Sequence, residues 1–198
     1  DEILTELSGP GTGFLAEVLP TFFDDLEHAK DPAPLGALLA ELTGSPWGRG
    51  LLAGLPAEQR VRAWLAAEPD LPLALMGDFN IAPFDHDVWD VAAFAGKTHV
   101  SQPERDAFAA LEAAGLTDAL RSRGVEGYTY WDYQQLRFPR NEGMRIDFIL
   151  GSRAFDALVT DARIIREERK GDAPSDHVPV VVDLALDVED DDDRPMFL

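Results

Sequence analysis

Apolar positions recur along the chain at helical spacing, in alternation and in short unbroken runs, and each stretch predicts an element. Past Pro56, Val61, Trp64 and Leu65 share one face of a segment that Pro69 stops, which predicts a helix over 57–68. The run 71–76 ends at Gly77 and reads as a buried strand entering a loop. Ser101, Pro103 and Glu104, followed by Phe108, Leu111 and Gly115, predict a helix with a capping box, a proline in its first turn and a glycine stop. Three further runs, 128–133, 145–150 and 178–186, read as strands; in the second, alternation puts Asp147 on the face of Arg145 and Ile149, opposite Ile146 and Phe148. Residues 1–56 suggest short helices broken by Pro20, Pro32, Pro34 and Pro46, without an assigned role. Their Gly9-Pro10-Gly11-Thr12-Gly13 lacks the Gly-Lys-Ser/Thr of a phosphate loop. Helices and strands mixed in this way predict an α/β (α+β) layered fold, and no period of 20–50 residues marks a repeat array.

A chain of 198 residues, 45% hydrophobic and 27% charged, is large enough for one sizeable core. Without cysteine it has no disulfide, no thiolate metal site and no thiol nucleophile. Neither a signal peptide nor a membrane span is visible, which predicts a cytoplasmic protein that avoids membranes; a first residue other than Met predicts a fragment or processed chain. The net charge of −20 disfavours broad electrostatic attraction to nucleic acid. Its distribution matters more. Residues 1–70 hold 12 acids and 4 bases, residues 71–186 hold 19 and 12, and residues 187–198 hold 6 and 1. The last segment, with Glu189 to Asp193 in an unbroken acidic run, predicts a solvated, disordered tail. Within the middle segment, 121–170 carries ten bases against eight acids and is the one long stretch of positive balance.

Three separate segments deliver carboxylates at or beside predicted strand ends: Asp78 with Asn80, then Asp147, then Asp176 with His177. Hard oxygen donors joined by one imidazole suit Mg²⁺ or Mn²⁺, and such a cation would offset the acidic surface as a phosphate approaches. A carboxylate at position 147 on a half-buried strand needs a partner, either Arg145 as a structural ion pair or an imidazole whose orientation it fixes.

Four motifs carry a resemblance: Gly77-Asp78-Phe79-Asn80-Ile81-Ala82-Pro83, Tyr128-Thr129-Tyr130-Trp131-Asp132-Tyr133, Gly143-Met144-Arg145-Ile146-Asp147, and Ser175-Asp176-His177-Val178-Pro179-Val180. In that order, over about residues 57–186, the sequence resembles the C-terminal half of exodeoxyribonuclease III and the apurinic/apyrimidinic endonucleases, actinobacterial members above all. The resemblance implies part of a two-layered α/β sandwich and a Mg²⁺- or Mn²⁺-dependent nuclease that cuts double-stranded DNA at abasic sites and trims 3′ ends. It further implies that Asp78 orients or deprotonates the attacking water, or protonates the leaving group, and that Asn80 positions Asp78. His177 would hold the scissile phosphate with its ring fixed by Asp147, and Asp78, Asn80, Asp176 and His177 would surround the metal. Tyr130, Trp131 and Met144 match the family's pocket for the flipped abasic sugar, with a hydrophobic core as the other reading, and Trp131 is the readiest of the three to be core. Arg137 and Arg140 would touch phosphates, as would, more weakly, Thr98 and Ser101.

The family's N-terminal half also supplies an Asn, a Glu in a Gln-Glu-x-Lys setting and a Tyr, and none of these motifs occurs in residues 1–56. A sheet without that half leaves an apolar face for residues 1–56, another chain or a second copy to cover. The competing reading is therefore a non-catalytic remnant, a module that binds DNA or a partner. A third keeps the wider superfamily with a phosphoinositide or RNA substrate.

Overall fold

The structure, a computed structural model, describes residues 56–186, so the expected short helices ahead of Pro56 and the acidic tail lie outside the described residues. Helix α1 (Ala57–Ala67) buries Val61 and brings Leu65 against the core, as its apolar spacing predicts, while Ala63 is buried as well and Trp64, expected on the same face, is only partly buried. Strand β1 (Ala74–Asp78) starts later than the sequence pattern suggests, because Leu73 is held by Ser152 instead: its N–H donates to Ser152 Oγ at 3.1 Å, and its carbonyl accepts the Ser152 N–H at 2.8 Å. Asp78 is the last residue of the strand.

Helix α2 (Gln102–Ala113) carries the expected capping box, with Phe108 and Leu111 buried. Glu104 Oε2 accepts from the Ser101 N–H at 2.9 Å and the Ser101 hydroxyl at 2.6 Å. The Ser101 hydroxyl bond, joined by others, holds the Glu104 carboxyl below its usual range. A lowered carboxylate stabilises the fold above its unfolded pKa and loses that contribution as pH falls through the folded value. Glu104→Ala is expected to cost about 0.5–2 kcal/mol at pH 7, toward the lower end for a group this accessible. Urea titrations should show the gap to the parent protein narrowing below pH 4.5, where the free side chain takes up its proton.

Strand β2 (Thr117–Asp118) and strand β3 (Asp147–Gly151) complete an antiparallel sheet in the order β1-β3-β2. Helix α3 (Arg153–Leu158), capped by Ser152, leads into strand β4 (Val159–Ile164), which pairs antiparallel with strand β5 (Val180–Leu184) in a second sheet. Central β3 divides its side chains between two layers. Phe148 and Leu150 meet Val61, Phe108, Leu111 and Leu116, and the rings of Phe79, Phe108 and Phe148 stack edge to face with centroids 4.8–5.8 Å apart. Ile149 faces the other way, toward Leu120, Phe155, Val159 and Ala162. The result is the expected α/β layering. Among the described residues no helix is long and apolar enough to cross a membrane.

Two expected strand assignments change. Residues 128–133 form no strand; Tyr130 makes isolated bridges to Met144 and His177 while the Thr129 hydroxyl accepts the N–H groups of Ile146 and Asp147, both at 3.1 Å. A side chain thus takes the place of ladder rungs. Arg145 precedes β3 rather than lying in it, and its guanidinium meets Asp118 Oδ2 at 2.7 Å, both side chains almost wholly buried. That settles the two partners open to Asp147: Arg145 belongs to Asp118.

Seven of the ten bases of 121–170 meet an acid among the described residues, Arg145 at Asp118 being one. Arg121 binds Asp87 and Asp118, Arg123 binds Asp156, Arg137 and Arg140 share Glu142, Arg163 binds Asp161 and Asp183, and Lys170 binds Glu167.

Candidate active site

The antiparallel register of β1 and β3 sets Asp78 directly opposite Asp147. Like charges at such a pairing repel, and Asp78 adds a small push to the Asp147 carboxyl. His177 comes from the segment ahead of β5. Its place is fixed by the Tyr130 bridge, by the Val178 N–H on the Thr129 carbonyl at 2.8 Å and by its own N–H on Ser175 Oγ at 3.1 Å. Its Nδ1 lies 2.9 and 3.1 Å from the two Asp147 oxygens. An ionised carboxylate can only accept, so Nδ1 carries the proton, and Nε2 stands 4.0 Å from Asp78 Oδ2. One donor atom each from Asp78, Asp147 and His177 lies within 4.8 Å of the others, the one such cluster among the described residues.

Asp147 is half-buried, and burial pushes its carboxyl above the usual range against the opposing hydrogen bonds of Thr129 and His177. Asp78 is tied to the loop that follows: its Oδ1 accepts the Asn80 N–H at 2.8 Å and its Oδ2 accepts Asn80 Nδ2–H at 3.0 Å. That local turn holds Asn80 at φ +53°, a left-handed conformation that asparagine tolerates. Asp78, Asn80, Asp147 and His177 therefore converge from three segments.

Asp176 does not join the cluster; its backbone carbonyl accepts the Trp131 N–H at 2.9 Å. The expected sugar pocket divides as well. Tyr130 and Met144 line a hollow of about 280 Å³ with Trp89, Phe94, Thr98 and Arg137, and the Tyr130 ring lies 5.0 Å from that of His177. Trp131 is not part of it. It is 1% exposed and packs against Tyr128 and Phe138, so its place is in the core. Arg137 reaches the hollow stacked over Trp89 at 5.0 Å, while half-exposed Arg140 donates to the Gln135 carbonyl at 2.7 Å and to Glu142 at 2.9 Å. Ser101 has its hydroxyl committed to the helix cap.

Two residues emerge here that sequence reasoning passed over. Thr129 supports Asp147 from within the aromatic motif, and its place beside Tyr130 was the available signal. His99 donates from Nδ1 to the Asn80 carbonyl at 2.7 Å; its only sequence signal was being one of four histidines.

The profile of the endonuclease/exonuclease/phosphatase family matches residues 10–177, a span that starts well ahead of the first described residue. Exodeoxyribonuclease III of Haemophilus influenzae is 31% identical over 121 residues, covering 55% of this chain and 44% of its own. Among solved structures, a Neisseria 3′ phosphatase bound to product DNA hairpin is 37% identical with a TM-score of 0.60, and an AP endonuclease from Archaeoglobus fulgidus is 26% identical with a TM-score of 0.57. Each covers 72% of this chain and 56% of the other. The chain spans about half the length of the relatives it matches.

Proposed function

The chain belongs to the endonuclease/exonuclease/phosphatase family, and from that premise we propose that it is a cytoplasmic, divalent-metal-dependent DNA repair nuclease that hydrolyses phosphodiesters at abasic sites and at 3′ ends. The observation that carries this reading is the meeting of Asp78, Asn80, Asp147 and His177 in one cluster beside the hollow of Tyr130 and Met144. That DNA is the substrate rests on the relatives, one of them bound to a DNA hairpin.

The donor set fits a hard cation. Two carboxylates face each other across a strand pair with an imidazole beside them, and this arrangement is relieved by a charge of +2. Asp78 and His177, with the Asn80 side-chain oxygen, would hold Mg²⁺ or Mn²⁺; Asp176 falls outside the set. Such an ion supplies neutralisation of the phosphate charge that develops in an in-line displacement. The chain's own groups do the rest. Asp78 orients the attacking water and accepts its proton, with both carboxylate oxygens held by Asn80. Asp147 fixes the Nδ1–H tautomer of His177, which leaves the Nε2 lone pair to face the ion and, through it, the phosphate. The hollow admits a sugar that lacks its base, with Tyr130 and Met144 as the apolar wall and Arg137 at its edge to meet a phosphate; Arg140 would meet another. Met76 is 59% exposed beside Ile149, Val178 and Val180, which fits a further chain covering this sheet.

The other reading is a module that binds DNA or a partner without cutting. Incubation with an abasic-site duplex separates the two. Nicking that requires Mg²⁺ and stops with EDTA is expected; an intact duplex in the presence of folded protein supports the binding module and overturns the nuclease.

A further inference from the structure

The hydrogen bond from His99 to Asn80 serves no cap and no sheet, yet it sits where the proposed chemistry is most sensitive to position. Asn80 holds Asp78 through its N–H and its side-chain amide, so the orientation of Asp78 depends on how firmly the peptide of Asn80 is held. Its N–H is fixed by Asp78. Its carbonyl is fixed by His99 Nδ1–H at 2.7 Å. A carbonyl has no proton to give, so Nδ1 must be the protonated nitrogen.

The backbone of His99 is unusual in its own right. It sits at φ +77°, in the left-handed region, half-buried, with its carbonyl accepting the N–H of fully buried Ala82 at 2.7 Å. Non-glycine residues persist there when the surroundings over-determine them, and such positions gather at functional sites. Glycine would meet this backbone without strain. The imidazole is therefore held at a conformational cost that glycine would not incur. Its side chain makes one hydrogen bond, and that bond ends on the turn carrying Asp78 and Asn80. The ring also lines the hollow with Tyr130 and Met144.

We propose that His99 is a positioning residue, which holds the Asn80 peptide through Nδ1–H and so sets the geometry of Asp78 beside the substrate hollow. The proposal rests on the nuclease reading for its kinetic consequence, but the bond itself can be tested without it.

His99→Gly removes the imidazole and relaxes the backbone, and His99→Asn keeps a donor at the position of Nδ1 in a residue that tolerates positive φ. For His99→Gly, kcat on an abasic-site duplex should fall about 10–100-fold, as for other groups that orient a ligand, with KM changed less than about twofold. The thermal midpoint should stay level or rise. His99→Asn should recover most of the loss. A merely structural anchor would instead lower the midpoint and leave kcat alone, and that outcome overturns the proposal. If the parent protein cuts nothing, the nuclease reading has failed and His99 is judged by ¹H–¹⁵N spectra. The Asn80 backbone and Nδ2 resonances should move in His99→Gly and return toward parent positions in His99→Asn, and their staying in place would overturn the proposal independently of activity.

Discussion

Asp147→Asn is expected to slow cleavage of an abasic-site duplex about 10²–10⁴-fold at pH 7 while leaving the protein at least as stable as before. The substitution keeps the shape of the side chain and removes its charge. His177 Nδ1–H, now 2.9 and 3.1 Å from two carboxylate oxygens, would face an amide that can accept at one end only and offers N–H at the other. The ring then loses the partner that fixes its tautomer and orientation. Stability moves differently. Burial holds the Asp147 carboxyl above its usual range, so the folded state binds its proton more readily than the unfolded chain does. A raised carboxylate pKa costs stability above the folded value, and that cost is relieved as pH falls through it. A neutral amide escapes the cost at pH 7. Steady-state rates and thermal midpoints from the same preparation check both halves, and a rate within tenfold of the parent protein would remove Asp147 from the mechanism. Across pH, the parent rate should fall on the acid side as Asp147 takes up its proton, and the Asn variant should lack that step.

Asp147 is legible in the sequence and its surroundings are not, because the two require different kinds of information. Asp78, Asn80, Asp147 and His177 stand in short motifs whose order along the chain is enough to nominate them. Their opposition across β1 and β3 is a matter of register, which runs from Ala74 opposite Gly151 to Asp78 opposite Asp147. Nothing in the run 71–76 announces that. The 128–133 segment shows the opposite failure: its aromatic composition reads as a strand, but the Thr129 hydroxyl draws the N–H groups of Ile146 and Asp147 away from ladder pairing. The same local geometry separates two adjacent aromatic residues, sending Tyr130 to the hollow and Trp131 to the core. Helix α3 starts at a local cap, Ser152 accepting the Phe155 N–H three residues on, whereas strand β4 is held by packing against Ile149 and by pairing with β5. Charge counting had a similar limit. Of the ten bases in one stretch seven are matched by acids, and those that neutralise Arg121 and Arg145 lie outside that stretch, at Asp87 and Asp118.

The Arg145 to Asp118 pair also carries the largest expected loss of stability. Asp118→Asn should cost about 3–5 kcal/mol, because it leaves a guanidinium that is 2% exposed without its counter-charge. Burial already pushes Arg145 below its usual range, and Asp118 is the foremost group opposing that shift. The aspartate has further duties: its Oδ1 accepts the N–H groups of Leu120 and Arg121 at 3.0 and 3.2 Å, and its Oδ2 takes Arg121 Nε at 3.4 Å. An asparagine oxygen can keep the backbone bonds, so the loss reports chiefly on the stranded charge. Against the total of about 5–15 kcal/mol typical of a domain, a loss of this size moves the urea midpoint far with little change in slope. Asp183→Asn offers the contrast, since its Arg163 partner lies in solvent and the midpoint should hardly move. Replacing both buried partners, Asp118→Leu with Arg145→Met, should recover most of the lost stability, because two apolar groups leave no charge to desolvate. Failure of that double variant to recover would mean that Asp118 acts through the β2 turn rather than through Arg145. Success would show that the segment leading into Asp147 needs a filled and neutral site behind it more than it needs the ion pair.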